Sequence, residues 1–228
     1  GLQVPLTLVI DDGTRPALRI PAAEVPITIH GTARHNVANA LCAALLARGL
    51  GISDAAITAG LNGFHPNSND SPGRTNLLQL GGARIVLDFG HNPDGVRRVA
   101  EMAARLPATR RLVVTGQAGD RTNAEIAGLV DGLMVCRPDR WLLKSMPKYA
   151  RGRAEGDVIR VLTNALNAHG VSTDRVTTHT TESAAVAAAI DALRSGDLLL
   201  LFVQADAAGA LHQLQASGAT EGWLSKFP

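Results

Sequence analysis

From residue 74 onward the chain alternates between short apolar runs and longer amphipathic ones, and this alternation restricts the fold more than any other feature. The strand-like runs are 83–88 (ARIVLD), 111–115 (RLVVT), 140–144 (RWLLK), 174–178 (DRVTT) and 197–203 (DLLLLFV). Helical spacing fills the gaps at 93–106, 122–135, 155–169 and 181–193, with a last helix at 208–217. In the 155–169 segment Val158, Val161, Leu162, Ala165, Leu166 and His169 fall on one face. Strands joined by helices of this length build βαβ units. The expectation is an α/β, Rossmann-like domain whose mostly parallel sheet is covered on both faces.

Residues 1–64 read differently. Short β-branched runs at 4–10, 17–20 and 25–29, broken by Asp11-Asp12-Gly13 and prolines, predict two or three strands and a tight turn. A helix is expected over 35–48, with Val37, Leu41 and Leu45 stacked, and a second over 53–62, capped by Ser53 and ending near Gly63. The stretch 65–73 (HPNSNDSPG) supports no packed element and is the expected domain boundary.

Composition removes several function classes. A formal net charge of +2 gives no electrostatic argument for nucleic acid or an anionic membrane as partner. Aromatics are 3% of the 228 residues, so the core must be aliphatic and alanine-rich. Cys42 and Cys136 sit in helical apolar patterns and are expected as buried free thiols. With no signal segment and no apolar run near ~18 residues, a soluble cytoplasmic protein is expected. No Gly-Lys dipeptide occurs, so the sequence holds no P-loop. No Gly-x-Gly-x-x-Gly follows the 83–88 strand, which removes a nicotinamide-dependent oxidoreductase.

In an open parallel sheet, ligands bind beyond the carboxyl ends of the strands. After 83–88 come Asp88, Phe89, Gly90, His91, Asn92, Pro93 and Asp94. Pro93 suits a first helical turn, and Asn92 or Asp94 can cap it. Asp88 and His91 are left over by that account: a carboxylate there can accept from ribose hydroxyls, and an imidazole can bond phosphate or carboxylate oxygens. After 111–115 the loop Gly116-Gln117-Ala118-Gly119-Asp120-Arg121-Thr122 permits close backbone approach, and Thr122 with Glu125 makes a capping box. In the first segment His35 and Asn39 lie one helical turn apart, with Asn36 or a neighbour as cap, and an amide such as Asn39 can read an adenine edge. Arg74 directly follows the boundary loop.

Taken in order, Gly31-Thr32-Ala33-Arg34-His35-Asn36-Val37-Ala38-Asn39-Ala40-Leu41, Pro72-Gly73-Arg74, Leu87-Asp88-Phe89-Gly90-His91-Asn92-Pro93-Asp94 and Gly119-Asp120-Arg121 resemble the Mur ligase superfamily. Arg151-Gly152-Arg153 after Lys144, and the strand opening Gly196-Asp197-Leu198, look like the Mur-like half of cyanophycin synthetases. No single motif is specific; the ordered set is. Phe89 and Gly90 stand where the family usually has Tyr and Ala. Gln117-Ala118 and Thr122 also depart from its usual charged residues, which leaves the amine substrate open.

The resemblance implies an ATP-dependent ligase. It phosphorylates a carboxylate and lets an amine attack the acyl phosphate, giving an amide, ADP and phosphate. A central domain supplies the P-loop and the Mg2+ ligands, so no metal site is expected in this chain. A carboxy-terminal lid closes over the nucleotide. By position, Asn39 would contact adenine, Arg74 ribose or phosphate and Asp88 ribose. His91, the candidate catalytic residue, would lie near the phosphates or substrate, with Asp120 and Arg121 lining the closing face toward a small amino acid or peptide. The implied organisation is a central-domain remnant at 1–64, a hinge at 65–73 and the lid at 74–228, with closure at the hinge. The implied partner is a P-loop-bearing domain in cis or in trans, and a homo-oligomer stays open. A binding or scaffold protein that kept the fold without catalysis is the alternative.

Overall fold

Leu8, Ile10 and Ile20 point to one side of a two-stranded antiparallel ribbon, β1 (Thr7–Ile10) and β2 (Leu18–Pro21), paired from Thr7↔Pro21 to Ile10↔Leu18. The structure, a computed structural model, describes residues 6–13 and 15–223. Positions 4 and 5 of the expected first strand therefore lie outside the described residues. Gly13, at φ 72°, makes the turn, and its N–H donates to Asp11 Oδ1 at 3.0 Å.

The expected third strand at 25–29 is not a strand. It holds the 3-10 turn Pro26–Thr28, which follows another at Ala22–Glu24 and leads into Ile29 and His30 at φ 51°. Pro26 has no N–H for a ladder. Thr28 Oγ1 donates to Ala22 O (2.6 Å) and to Val25 O (2.8 Å), so local bonds take the place of pairing.

Helix α1 (Arg34–Gly49) buries Val37, Ala40, Ala44 and Arg48, not the expected 37/41/45 stripe, and Leu45 is 43% exposed. The buried register is set by Arg48, whose guanidinium donates to Ile10 O (3.1 Å) and Pro16 O (2.6 Å). It also forms a two-pronged bond to Asp54 of α2 (Asp54–Asn62) at 3.0 and 2.8 Å. Ser53 caps α2, accepting from Ala56 N at 3.3 Å. These elements form one compact unit, residues 1–66.

The second unit, residues 67–228, is built on a seven-stranded sheet. In chain order it contains β3 (Asn76–Leu80), β4 (Ala83–Asp88), α3 (Pro93–Arg105), β5 (Arg111–Thr115) and α4 (Asn123–Met134). There follow β6 (Arg140–Lys144), α5 (Asp157–Ala168), β7 (Val176–His179), α6 (Glu182–Ala192), β8 (Leu198–Phe202), α7 (Ala207–Ala216) and β9 (Thr220–Glu221). The strand order is β7-β6-β5-β8-β4-β3-β9, parallel from β7 to β4, with β3 and β9 antiparallel at one edge. The α/β, mostly parallel class is therefore as expected, and the antiparallel edge is an addition to it. The 174–178 run starts later than expected because Thr173–Arg175 makes a 3-10 turn first.

All five residues of β8 are buried, as a central strand requires. On one face Ile85, Leu87, Leu112, Val114, Leu199 and Leu201 pack against Ala185, Val186 and Ala189 of α6 and Leu214 of α7. Each fully buried leucine contributes about 1.5–3 kcal/mol. The carboxyl ends of β4, β5, β6 and β8 thus open on the same side of a rigid layer.

Candidate active site at the carboxyl ends of the strands

Asp88 ends β4 and is 7% exposed. Its Oδ2 accepts from Thr75 N (2.8 Å) and Thr75 Oγ1 (3.0 Å), and its Oδ1 from Gly90 N (2.7 Å). Thr75 has φ 53°, a left-handed conformation disfavoured for a β-branched residue. The carboxylate holds that turn, and Phe89 N adds a bond to Gly73 O at 2.8 Å. Asp88 therefore braces the segment that carries Arg74.

Arg74 is exposed, with its guanidinium 5.2 Å from the centre of the Phe89 ring. Phe89 in turn tilts against His91, ring centres 5.1 Å apart at 60°. Gly90 is fixed by packing: a Cβ there would lie 2.8 Å from Phe202 Cε1, so the glycine and the phenylalanine of β8 complement each other. Asn92 caps α3, accepting from Gly95 N at 2.8 Å, with Pro93 in the first turn.

The loop after β5 is shaped by close backbone approach. A Cβ on Gly119 would sit 1.9 Å from Ala150 O, and Gly119 N donates to Tyr149 O at 2.8 Å. Gln117 is buried; its Nε2 donates to His91 O (2.7 Å) and its Oε1 accepts from Ala118 N (2.8 Å), tying this loop to the one after β4. Arg153 clamps the same loop, donating to Gly119 O (2.7 Å), Asn123 Oδ1 (2.7 Å) and Arg121 O. Asp120 pairs with Arg151 at 2.7 Å. The Thr122–Glu125 capping box is formed, and the Thr122 N–H and hydroxyl hold the Glu125 carboxyl below its usual range.

Two cavities flank Phe89. One, about 430 Å³, is lined by Arg74, Leu87, Phe89, Ala207, Ala208 and Leu211 among others. The other, about 160 Å³, brings together His91, Gln117, Asp120, Arg121, Arg151 and Gln204. His91, Asp120 and Arg121 thus share one cavity and Arg74 lines its neighbour, while Asp88 is engaged beneath them. In the first unit, Asn39 lies on the exposed side of α1 and donates to Asn36 Oδ1 at 3.3 Å. Asn36 is no cap. It donates to Ile27 O at 3.0 Å, and the residue capping α1 is Ala33, without a side-chain bond.

A buried ion pair escapes the sequence reading. Lys144, the last residue of β6, is wholly buried; its Nζ bonds Glu182 and donates to Phe202 O at 2.7 Å. Glu182, 5% exposed, accepts from the backbone N–H groups of Gln204 (2.8 Å), Ala205 (3.1 and 3.2 Å) and Asp206 (2.7 Å). Burial pulls the Lys144 amine down to about 8 against the opposing pull of Glu182. Burial works against the Glu182 carboxylate too, but Lys144 and the turn's N–H groups outweigh it and hold it below its usual range. A lysine ending an otherwise apolar run, and an acid just after the Thr181 helix cap, were the available signals. Cys136 is buried as expected, whereas Cys42 is exposed, on the outer side of α1. No group of three or more His, Cys, Asp or Glu able to hold a metal ion, and no helix long and apolar enough to cross a membrane, occurs among the described residues.

Comparison with known proteins places the sequence and the fold in one family. The profile of the family described as Mur ligase, glutamate ligase domain, matches residues 73–203. A cyanophycin synthetase of Crocosphaera subtropica is 32% identical over 182 residues, 79% of this chain and 20% of its own length. A UDP-N-acetylmuramate–L-alanine ligase of Stenotrophomonas maltophilia is 29% identical over 92% of this chain and 45% of its own. The chain thus spans about a fifth of the cyanophycin synthetase and under half of the muramate ligase. Among solved structures, the UDP-N-acetylmuramate-alanine ligase of Thermotoga maritima superposes with TM-score 0.61 at 14% identity over 92% of this chain and 43% of that one. E. coli FolC in complex with ADP gives 0.58 at 22% identity over 78% and 39%. The ordered motifs, the sheet and the profile converge, and the chain belongs to the Mur ligase family, through its glutamate ligase domain.

Proposed function

We propose that the chain is the carboxy-terminal part of an ATP-dependent, ADP-forming ligase that joins a carboxylate to the amine of a small amino acid or peptide in the cytoplasm. The observation that carries this reading is the gathering of His91, Asp120 and Arg121 around one cavity at the carboxyl ends of the strands. Residues 74–228 act as the lid, 65–73 as the hinge and 1–64 as part of a central domain. The P-loop comes from that domain, in cis or in trans.

The residues present fit one edge of a nucleotide. Arg74, held over Phe89 beside a cavity of about 430 Å³, can donate to ribose or phosphate oxygens. In the first unit, taken by itself, the exposed Asn39 amide is one that can read an adenine edge. Asp88 supports this edge chiefly by fixing the Arg74 turn, with a ribose hydroxyl as a further donor to it. ATP supplies the phosphoryl group that activates the carboxylate. No group of three or more His, Cys, Asp or Glu that could hold Mg2+ occurs among the described residues. In the smaller cavity, Arg121, held only by a long 3.9 Å ion pair to Glu125, can turn to a substrate carboxylate, and His91 lines the same space beside the incoming amine.

The test joins the chain to a P-loop-bearing central domain of the same family and measures amide formation and phosphate release. Alone, the chain is expected to turn over no ATP. Joined, it should be active, and His91→Ala should lower kcat/KM on the order of 10²-fold. Robust ATP turnover by the chain alone, or full activity of the joined His91→Ala protein, would overturn the reading.

A further inference from the structure

Gln204, in the turn between β8 and α7, is held through both its backbone and its side chain. Its backbone N–H donates to Glu182, the carboxylate that Lys144 fixes from below, and its side-chain Nε2 donates to Gly90 O at 2.6 Å. The carboxamide is therefore anchored one residue from His91, and both residues line the same cavity of about 160 Å³. Two polar atoms in this corner are shielded from solvent and have no hydrogen-bond partner among the described residues: Gln204 Oε1, an acceptor, and His91 Nδ1. Leaving both so is costly. A neutral imidazole carries one N–H, and the bond made by one ring nitrogen decides the state of the other. The last torsion of histidine is soft and nearly two-fold, so turning the ring is a small adjustment.

We propose that Gln204 is a positioning residue for His91: its Oε1 accepts from His91 Nδ1–H, which leaves Nε2 as the lone-pair nitrogen facing the cavity. The Lys144–Glu182 pair sets the turn from which Gln204 reaches. Asp120, Arg121, Tyr149 and Arg151, the charged and titratable groups around the same cavity, face the ring from the loops after β5 and β6. The functional meaning of a basic Nε2 rests on the ligase reading above, but the tautomer itself does not, so the two can fail separately.

The experiment is nitrogen-resolved NMR of the full chain carrying labelled histidine, with the His91 signals assigned by loss in a His91→Gln variant. It is run in mildly alkaline buffer. The wild-type chain should show His91 mainly protonated at Nδ1. Gln204→Leu should move the tautomer ratio about fivefold toward Nε2–H, the equivalent of one ordinary hydrogen bond. Gln204→Met, which fills similar space without an acceptor, should move the ratio as Gln204→Leu does; a shift in neither is expected if Gln204 only packs. A wild-type ring protonated mainly at Nε2 would overturn the proposal without any variant, as would an unchanged ratio in a folded Gln204→Leu chain.

Discussion

Lys144 and Glu182, 38 residues apart in sequence, form a buried ion pair that joins the end of β6 to the start of α6 and, through the Glu182 carboxylate, to the turn after β8. Neither charge has water to fall back on. Lys144→Met leaves the carboxylate with its backbone donors but without its counter-charge, and should cost about 3–5 kcal/mol. Lys144→Met with Glu182→Gln should cost less than the sum of the single changes. Urea denaturation of the four proteins measures this, and strict additivity would show that the two groups are not coupled.

The same pair gives stability a pH dependence of known sign. The Lys144 amine lies near 8 in the folded chain against 10.5 in the unfolded one, so between these values the unfolded chain binds more protons and stability rises with pH. Cys136 acts in the opposite sense: burial lifts its thiol from 9.0 to about 12, so its contribution is full below 9.0 and is lost as pH rises toward 12. Unfolding free energy should therefore climb between about pH 8 and 9 by up to about 1.4 kcal/mol, then level as the two groups oppose each other. The climb should vanish in Lys144→Met, and Cys136→Ala should extend it to higher pH.

Asp88 offers a separate test of whether its carboxylate is structural. Asparagine keeps one acceptor oxygen and puts an amide where a second accepted, so Thr75 or Gly90 loses a partner. A loss of about 1–3 kcal/mol is expected, with faster amide exchange at Thr75 and Gly90. Unchanged exchange at both would show that the Thr75 turn stands without the carboxylate.

The loop after β5 should respond to Arg153 more than to Arg151. Arg153→Lys cannot reproduce a fork that reaches Gly119 O, Asn123 Oδ1 and Arg121 O together. Amide protection over 119–122 should fall at least about fivefold, with a small effect on global stability. Gly119→Ala, driven into Ala150 O, should give the same local signature and cost about 1–3 kcal/mol. Arg151→Lys, half exposed and paired only with Asp120, should leave the protection intact.

Features encoded within a few residues were legible in the sequence. The Ser53, Asn92 and Thr122 caps, the five parallel strands and the loops at their carboxyl ends follow from side chains that act on their own neighbours. What escaped was set at a distance. Residues 25–29 have strand composition, but Pro26 and the Thr28 hydroxyl favour turns. The register of α1 is governed by Arg48, whose partners lie on the ribbon and on α2, and this turns Leu45 and Cys42 outward. β3 is a strand because β4 offers an edge and β9 because β3 does, and β9 is too short to leave a periodic signal. At the site, His91, Asp120 and Arg121 were visible as motif residues. Gln204 belongs to no local pattern, Glu182 reads locally as a first-turn acid after the Thr181 cap, and both acquire their partners only when β8 enters the sheet.

That late entry bears on how the chain is made. β8, the last of the five parallel strands to leave the ribosome, lies between β4 and β5, which come more than eighty residues earlier. Until it arrives, β4 and β5 each present an apolar edge with no neighbour. Growth from the amino end therefore cannot add this sheet strand by strand; it must close in one late step. A nascent chain halted before residue 198 holds two half-sheets with nothing to join them, the state in which a chaperone is most needed.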